Sequence, residues 1–435
     1  MAPNKVAKSL IRLYSASGFC ERIGAAPRIL PGRTSGSNVT TFNHFISAAT
    51  FEMAFFLLRD ISDDELQDLS KCLWRWNLCG DCTGKSTCLN TRCPWSRAER
   101  LHTFWDRYKT LTAAYVPEMY TSRPALSSHA DLRDVIHLIQ NRPHDTREQL
   151  MEAHFTRGIT SNTDLPGTSD QARAMNLGAS ILFSVNCGIS HEHIALLEDG
   201  SSSIPWRNAV SAKVFVEEAF PKDQHSFIRS EKKYPDWPEV AAALSVKQLR
   251  RVLGIDLEAT TDLRSHLSFD RKRRILQVFH CTAMLKETLS EIERDPDGCL
   301  LPRELILEVF DTIHNVLFPP DRDSQALLSS LVTKHGFDKD LLRFEALSHR
   351  DQEDPKPSFP YFGSRLAELY DEMQNPRPRT RLESWFERKS GARYMLMATM
   401  IGVFIAVIIG ILGLGVSGFQ AYISYQQWKH PASNA

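Results

Sequence analysis

The segment Tyr394–Trp428 runs for 35 residues without a formal charge, and it is built largely of Met, Ile, Val, Leu, Phe, Ala and Gly. A helix needs about 20 such residues to cross the hydrocarbon core of a bilayer. It also satisfies its own backbone without water, which an open strand or loop in lipid does not. The segment therefore predicts one membrane crossing over about Met395–Ile423, with aromatic rings at both interfaces (Trp385 and Phe386; Tyr422, Tyr425 and Trp428) and room to tilt. Seven residues follow Trp428, which gives the reading of a tail-anchored chain with its mass on one side. The competing reading is a core helix of a soluble protein, which is seldom so long.

The flanking charges set an expected orientation. Arg388, Lys389 and Arg393 precede the span, and Lys429 and His430 follow it. The positive bias puts the body in the cytosol. Within the span, Ala398, Gly402, Ala406 and Gly410 recur at every fourth position. Small residues so spaced let a second helix approach closely, so self-association or a partner helix is expected there; Gly and Ala are also simply common in membrane helices. The span holds no Asp, Glu, Lys, Arg or His, so no ion or proton path is indicated.

The remaining chain suits a packed globule. Of 435 residues 42% are hydrophobic, and 52 basic residues balance 52 acidic ones, so nothing in the charge points to nucleic acid. Residues 1–40 are read as a basic, partly disordered start. Lys5, Lys8, Arg12, Arg22, Arg28 and Arg33 stand there against Glu21, a pattern shared with mitochondrial presequences and the basis of an alternative mitochondrial location. Residues 41–350 are read as a helical body, 351–390 as a Pro- and charge-rich stalk with a short helix, and 391–435 as the anchor and tail.

Helical periodicity dominates the body. Capping boxes are expected at Ser62–Glu65, at Ser96–Glu99, and between Asp145 and Glu148. Further helices are expected over 43–59, 130–140, 170–185, 207–219, 246–253, 271–293, 302–316, 325–334 and 362–373. Convincing alternating strands are absent. The fold class predicted is all-α, a multi-helix soluble body with one C-terminal transmembrane helix.

Five of nine cysteines fall between Cys72 and Cys93. The chain is too long, and its spacing wrong, for a small disulfide scaffold, which favours a reducing compartment. Cys79 and Cys82 have the C-x2-C spacing that turns two thiolates toward one ion, and Gly80 permits the turn. Cys88 and Cys93 complete a four-thiolate set, with Cys72 as substitute or bystander. Such a site is structural zinc, because four thiolates leave no position for a reacting water. Alternatives are a redox pair at Cys79 and Cys82, or plain free thiols. No other cofactor is indicated.

Other candidates are weaker. Gly84-Lys85-Ser86 imitates a phosphate loop, but Gly80 stands four positions before Gly84 rather than five. His191 and His193 flank Glu192 without the i, i+4 spacing of a metalloprotease pair. His44 and His280 lie in apolar stretches and read as packed side chains. Ser184 and Ser190 lack a nucleophile-elbow setting. Arg271-Lys272-Arg273-Arg274 reads as a basic helix start capped by Asp270, facing solvent, lipid or a partner.

Two stretches, 253–289 and the region from Pro360 through the span, resemble a group of uncharacterised filamentous-fungal proteins that end in one membrane helix and a short tail. The matching residues are Asp262-Leu263, His266-Leu267, Val278-Phe279-His280, Leu285-Lys286, Arg379-Thr380, Trp385 and Arg388. Asp262 stands where that group often has Asn, and Trp385-Phe386 where it has a Trp pair. The resemblance covers roughly residues 245–430 and implies a membrane anchor. It implies no activity. The leading functional expectation is a membrane-anchored interaction or scaffold protein. The alternatives are a membrane-associated enzyme or a zinc-stapled regulatory module.

Overall fold

In the computed structural model, the described residues are 57–117, 123–156, 165–188, 203–222, 237–296, 298–343, 359–375 and 394–429. All belong to the unit Phe56–Ala435. In chain order the helices are α1 (Asp63–Trp74), α2 (His102–Ala113), α3 (His129–Asn141), α4 (Arg147–Phe155), α5 (Thr168–Leu182), α6 (Ala212–Ala219), α7 (Trp237–Ala243) and α8 (Val246–Leu253). Three short strands follow: β1 (Asp256–Thr260), β2 (Phe269–Asp270) and β3 (Ile275–Phe279). The chain then returns to helices α9 (Thr282–Arg294), α10 (Arg303–Asp311), α11 (Arg322–Lys334), α12 (Gly363–Gln374) and α13 (Tyr394–Lys429). A π-helical segment, Thr312–Leu317, extends α10.

The local chemistry explains most of the boundaries. Ser62 and Glu65 form a reciprocal capping box at α1, which satisfies two otherwise orphaned N–H groups. The equivalent box at α4 uses Thr146 and Gln149, one residue later than the spacing from Asp145 suggested. No box forms at Ser96, which instead lies inside a 3-10 helix, Pro94–Leu101, that leads into α2. Gly254, at φ +64°, ends α8 in the left-handed conformation that glycine adopts cheaply. The helix expected over 43–59 lies almost wholly outside the described residues.

The predicted helical architecture is observed, with one small sheet inserted. Its order is β1-β3-β2, with β1 parallel and β2 antiparallel to β3. Asp256 pairs with Ile275, Thr260 with Phe279, and Phe269 with Leu276. This corrects the helix expected over 271–293: its first part is β3 and only Thr282–Arg294 is helical. The helix expected over 207–219 forms as α6.

Arg107 binds the helical layers to the sheet. Its buried guanidinium donates to Thr261 Oγ1 (2.8 Å), to the carbonyls of Val185 (2.9 Å) and Ser180 (3.3 Å), and to Asn186 Oδ1 (3.3 Å). The stalk was expected to begin at 351, but Phe359, Phe362, Leu366 and Leu369 are buried in the core. The Glu308 carboxylate accepts the backbone N–H groups of Tyr361 and Phe362 and fixes that segment to α10. Helix α12 is thus part of the body, and 376–393 separate it from α13.

Helix α13 differs from all the others. Its candidate span, Thr399–Lys429, contains an 18-residue stretch whose mean hydropathy is 2.6 and which is 0% buried. Its apolar side chains meet no protein, which sets it apart from a core helix. The large hydrophobic side chains exposed on the described body are only Leu89, Val116, Val214 and Leu342.

Candidate metal centre

The sharp end of α1 starts the site. Arg75 takes a left-handed conformation (φ +50°) and stops the helix. Trp76 then enters the core, and a 3-10 turn, Gly80–Cys82, follows Cys79. Two backbone bonds shape the loop: Lys85 N–H donates to Cys82 O and Cys93 N–H to Asn90 O, both at 3.0 Å. Gly84, at φ +70°, allows the first of these turns without strain.

The loop brings together the four cysteines whose spacing suggested a site. The sulfurs of Cys79, Cys82, Cys88 and Cys93 all lie within 4.8 Å of one another. Cys79 Sγ is 3.5 Å from Cys88 Sγ, and Cys82 Sγ is 3.8 Å from Cys93 Sγ. Zinc–sulfur bonds of about 2.3 Å in a tetrahedron require sulfurs about 3.8 Å apart. The separations therefore match a four-thiolate cage and are far from the roughly 2.0 Å of a disulfide. This arrangement can hold a metal ion. Cys72 is a bystander on α1, where its thiol points to Arg133 O at 3.6 Å.

The electrostatics are uneven across the quartet. Cys82 and Cys93 are buried; Cys79 and Cys88 are half-buried. Burial pushes the Cys82 thiol well above its ordinary range, and the neighbouring thiols add to this. Cys93 is also disfavoured by burial, yet the N–H groups of Cys79 and Trp95 bring it below the usual thiol range. Cys93 is thus the more readily ionised of the buried pair, Cys82 and Cys93. A bound dication removes this asymmetry by stabilising all four thiolates.

Side chains around the loop hydrogen-bond its carbonyls, and little in the sequence signals them. Gln67 Nε2 on α1 donates to the carbonyls of Cys82 (2.7 Å) and Lys85 (3.0 Å). Trp95 Nε1 donates to Lys85 O at 2.7 Å. Trp76 packs edge-on to Trp95 with ring centroids 6.3 Å apart, and the Arg97 guanidinium lies 5.7 Å from the Trp76 ring. Arg97 also makes a bidentate pair with Glu287 of α9, both bonds at 2.7 Å. The cage is therefore continuous with the body core. The spacing of Cys79 and Cys82 pointed to the cluster, whereas Gln67, Trp95 and Glu287 come from positions that carry no distinguishing pattern.

The remaining candidates do not form sites of their own. Lys85, the lysine of the phosphate-loop imitation, donates to Asp81 O at 2.7 Å and closes the cysteine loop instead. The His191–His193 pair, Ser190 and His44 lie outside the described residues. Ser184 is fully buried with its hydroxyl directed to Met284 Sδ. His280 accepts the Asp338 N–H at 3.1 Å on Nδ1, and burial lowers it to about 4. Lys286 pairs with Asp340 at 2.8 Å, both side chains buried. Asp262, Leu263, His266, Leu267, Val278, Phe279, His280, Leu285 and Lys286, the residues of the recognisable 253–289 stretch, are all buried. Those nine matching residues belong to the core and its internal polar network.

Two cavities bear on catalysis. One of about 30 Å³ lies against Trp74, Thr288 and Cys299. One of about 200 Å³ is lined by Arg123, Ser127, Asp131, Asp134 and His154. Asp131 there is engaged as the capping partner of Ser128 on α3. Ligand pockets usually measure about 300–1,000 Å³, so neither cavity reaches that size. Along α13, Gly402, Ala406 and Gly410 are exposed, and a Cβ added at Gly402 or Gly410 would meet nothing within 4 Å; the Ala398 side chain lies outside the described ones. No protein-family model, curated protein or solved structure matches the chain.

Proposed function

We propose that the chain is a single-pass membrane protein whose helical body, stapled by a structural zinc ion on Cys79, Cys82, Cys88 and Cys93, serves an interaction or scaffold role on the cytosolic face. The observation that carries the zinc assignment is the convergence of four sulfurs within 4.8 Å, on a loop held by Gln67 and Trp95. The apolar, uncovered α13 supports the anchor. Arg388, Lys389 and Arg393 support the cytosolic orientation. The open face of Gly402, Ala406 and Gly410 suits a second membrane helix, from another copy or a partner.

The scaffold reading follows from what the described body offers chemically. Several of its buried polar groups are tied to one another, as Lys286 is to Asp340, and the two cavities described above are small. An enzyme would bring convergent polar groups to a ligand-sized pocket. The cavity beside His154 and Asp134 is the nearest approach to one.

Metal analysis of the full-length protein, purified in detergent under reducing conditions, tests the proposal. We expect about one zinc per chain. Less than about one tenth of an equivalent would remove the zinc staple.

A further inference from the structure

The four sulfurs of the proposed cage do not stand equally toward solvent. Cys82 and Cys93 are buried, whereas Cys79 and Cys88 are half-buried. Residues 83–87 and 89–92, on either side of Cys88, are exposed, and Leu89 beside it is 99% exposed. Cys79 is followed by the exposed Gly80 and Asp81. The quartet therefore has an outer pair and an inner pair. In the outer pair, Cys79 Sγ and Cys88 Sγ stand 3.5 Å apart. A disulfide joins sulfurs at about 2.0 Å, so an approach of about 1.5 Å links them.

The inner half of the loop has supports that do not involve a metal. Gln67 of α1 donates to Cys82 O and Lys85 O, and Trp95 Nε1 donates to Lys85 O. Trp95 is itself buried beside Trp76, and Arg97 pairs with Glu287 of α9. The bonds that join the loop to α1 run through Cys82 and Lys85, not through Cys88. On the outer half the bonds are local: Thr83 Oγ1 donates to Gly80 O at 3.2 Å, and Arg92 N–H donates to Asn90 Oδ1 at 3.0 Å. Cys88 can therefore close on Cys79 while the ties to α1 and α9 stay in place.

We infer that the cage is a redox switch, in which a peroxide oxidises the outer pair to a Cys79–Cys88 disulfide and the zinc ion leaves. This rests on the zinc reading of the site and adds its regulation. Redox-sensing cysteines are accessible thiolates poised beside a resolving cysteine, and zinc ligation holds Cys79 and Cys88 as thiolates. The Cys88 thiolate attacks one peroxide oxygen, the O–O bond breaks, and a sulfenic acid forms as hydroxide leaves. The Cys79 thiolate then attacks that sulfur, forming the S–S bond and expelling a second hydroxide. Two electrons pass from the sulfurs to the peroxide, and two protons turn the hydroxides into water. Zinc is left with Cys82 and Cys93, half of its tetrahedral set, and is released. A thiol reductant reverses the bridge and lets the site reload. Disulfides in reducing compartments are typically transient and redox-sensing, which suits a body on the cytosolic face.

Hydrogen peroxide added to the full-length, zinc-loaded protein in detergent, after the reductant is removed, tests this. A chromophoric chelator follows the zinc, and mass spectrometry of unreduced digests maps the bridge. About one equivalent of peroxide should release about one zinc and remove about two thiols per chain. The bridge should be Cys79–Cys88, and dithiothreitol with added zinc should restore the loaded cage. Helix content by circular dichroism should not change, because the ties through Gln67, Trp95 and Arg97 persist. Cys72→Ser should release zinc to the same extent, since that thiol lies off the cage. Zinc retained after peroxide, a bridge between any other cysteines, sulfinic acid without a bridge, or a cage that does not reload would overturn the switch. A failure of the zinc reading would look different: the chain would carry less than about one tenth of an equivalent before any peroxide is added.

Discussion

At the scale of single residues, the cysteine loop separates ligands from bystanders. Cys82→Ser should reduce bound zinc to near zero and cost several kcal/mol of stability, as expected when a structural zinc ion is lost. Cys72→Ser should leave the metal content unchanged, because its thiol faces α3. Metal analysis and thermal denaturation of the two variants check both outcomes. The buried histidines set a pH dependence of their own. Burial lowers His266 to about 3, and His280 and His314 to about 4, from an ordinary 6.5. They are neutral in the fold, so protonation favours the unfolded chain. Their contribution is intact above about pH 6.5 and is lost as the pH falls through 4. Glu308 runs the other way: burial raises it to about 7, against the lowering effect of the Phe362 and Tyr361 amides. Its contribution is complete below its unfolded value near 4.5 and is lost as the pH rises through 7. Denaturation midpoints measured from pH 8 to pH 4 should therefore fall toward acid, since the lowered histidines, His129 and His154 among them, outweigh Glu308 and the lesser upward shifts of Asp262, Glu291 and Asp338. His280→Gln should flatten the acid limb.

At the scale of elements, what was legible in the sequence follows from how local each signal is. The box at Ser62–Glu65 is written in adjacent residues, and it forms as read. The cysteine pair is equally local, and its four sulfurs converge. The β3 strand was not legible. Ile275, Leu276, Val278 and Phe279 are apolar on both faces, and five residues are too few to separate a strand from a helical turn. Its pairing with β1 is a long-range choice that periodicity does not contain. The cage supports were hidden for the same reason. Gln67 reads as an ordinary helix residue, yet it holds two carbonyls of the loop. Gln67→Leu should leave both carbonyls without that donor, at a cost of about 1–3 kcal/mol. It should also speed zinc loss to a chelator while the stoichiometry stays near one. Unchanged release kinetics would mean that α1 does not hold the cage.

At the scale of the whole molecule, two modes of burial divide the chain. The body closes its apolar residues around Trp, Phe and Leu side chains from α1 through α12, and few large ones remain exposed. Helix α13 leaves nearly all of its own uncovered. About 20 apolar residues in water would be a severe liability, and in a bilayer they are the anchor. The proposed zinc staple belongs to the body and the proposed anchor to α13, on opposite sides of this division. Membrane partition measures it directly. Full-length protein expressed in cells should pellet with membranes and resist alkaline carbonate extraction, whereas a chain lacking residues 391–435 should move to the supernatant with its zinc still bound. Full-length protein that stays soluble without detergent, or a truncated chain that remains fully embedded, would contradict the account.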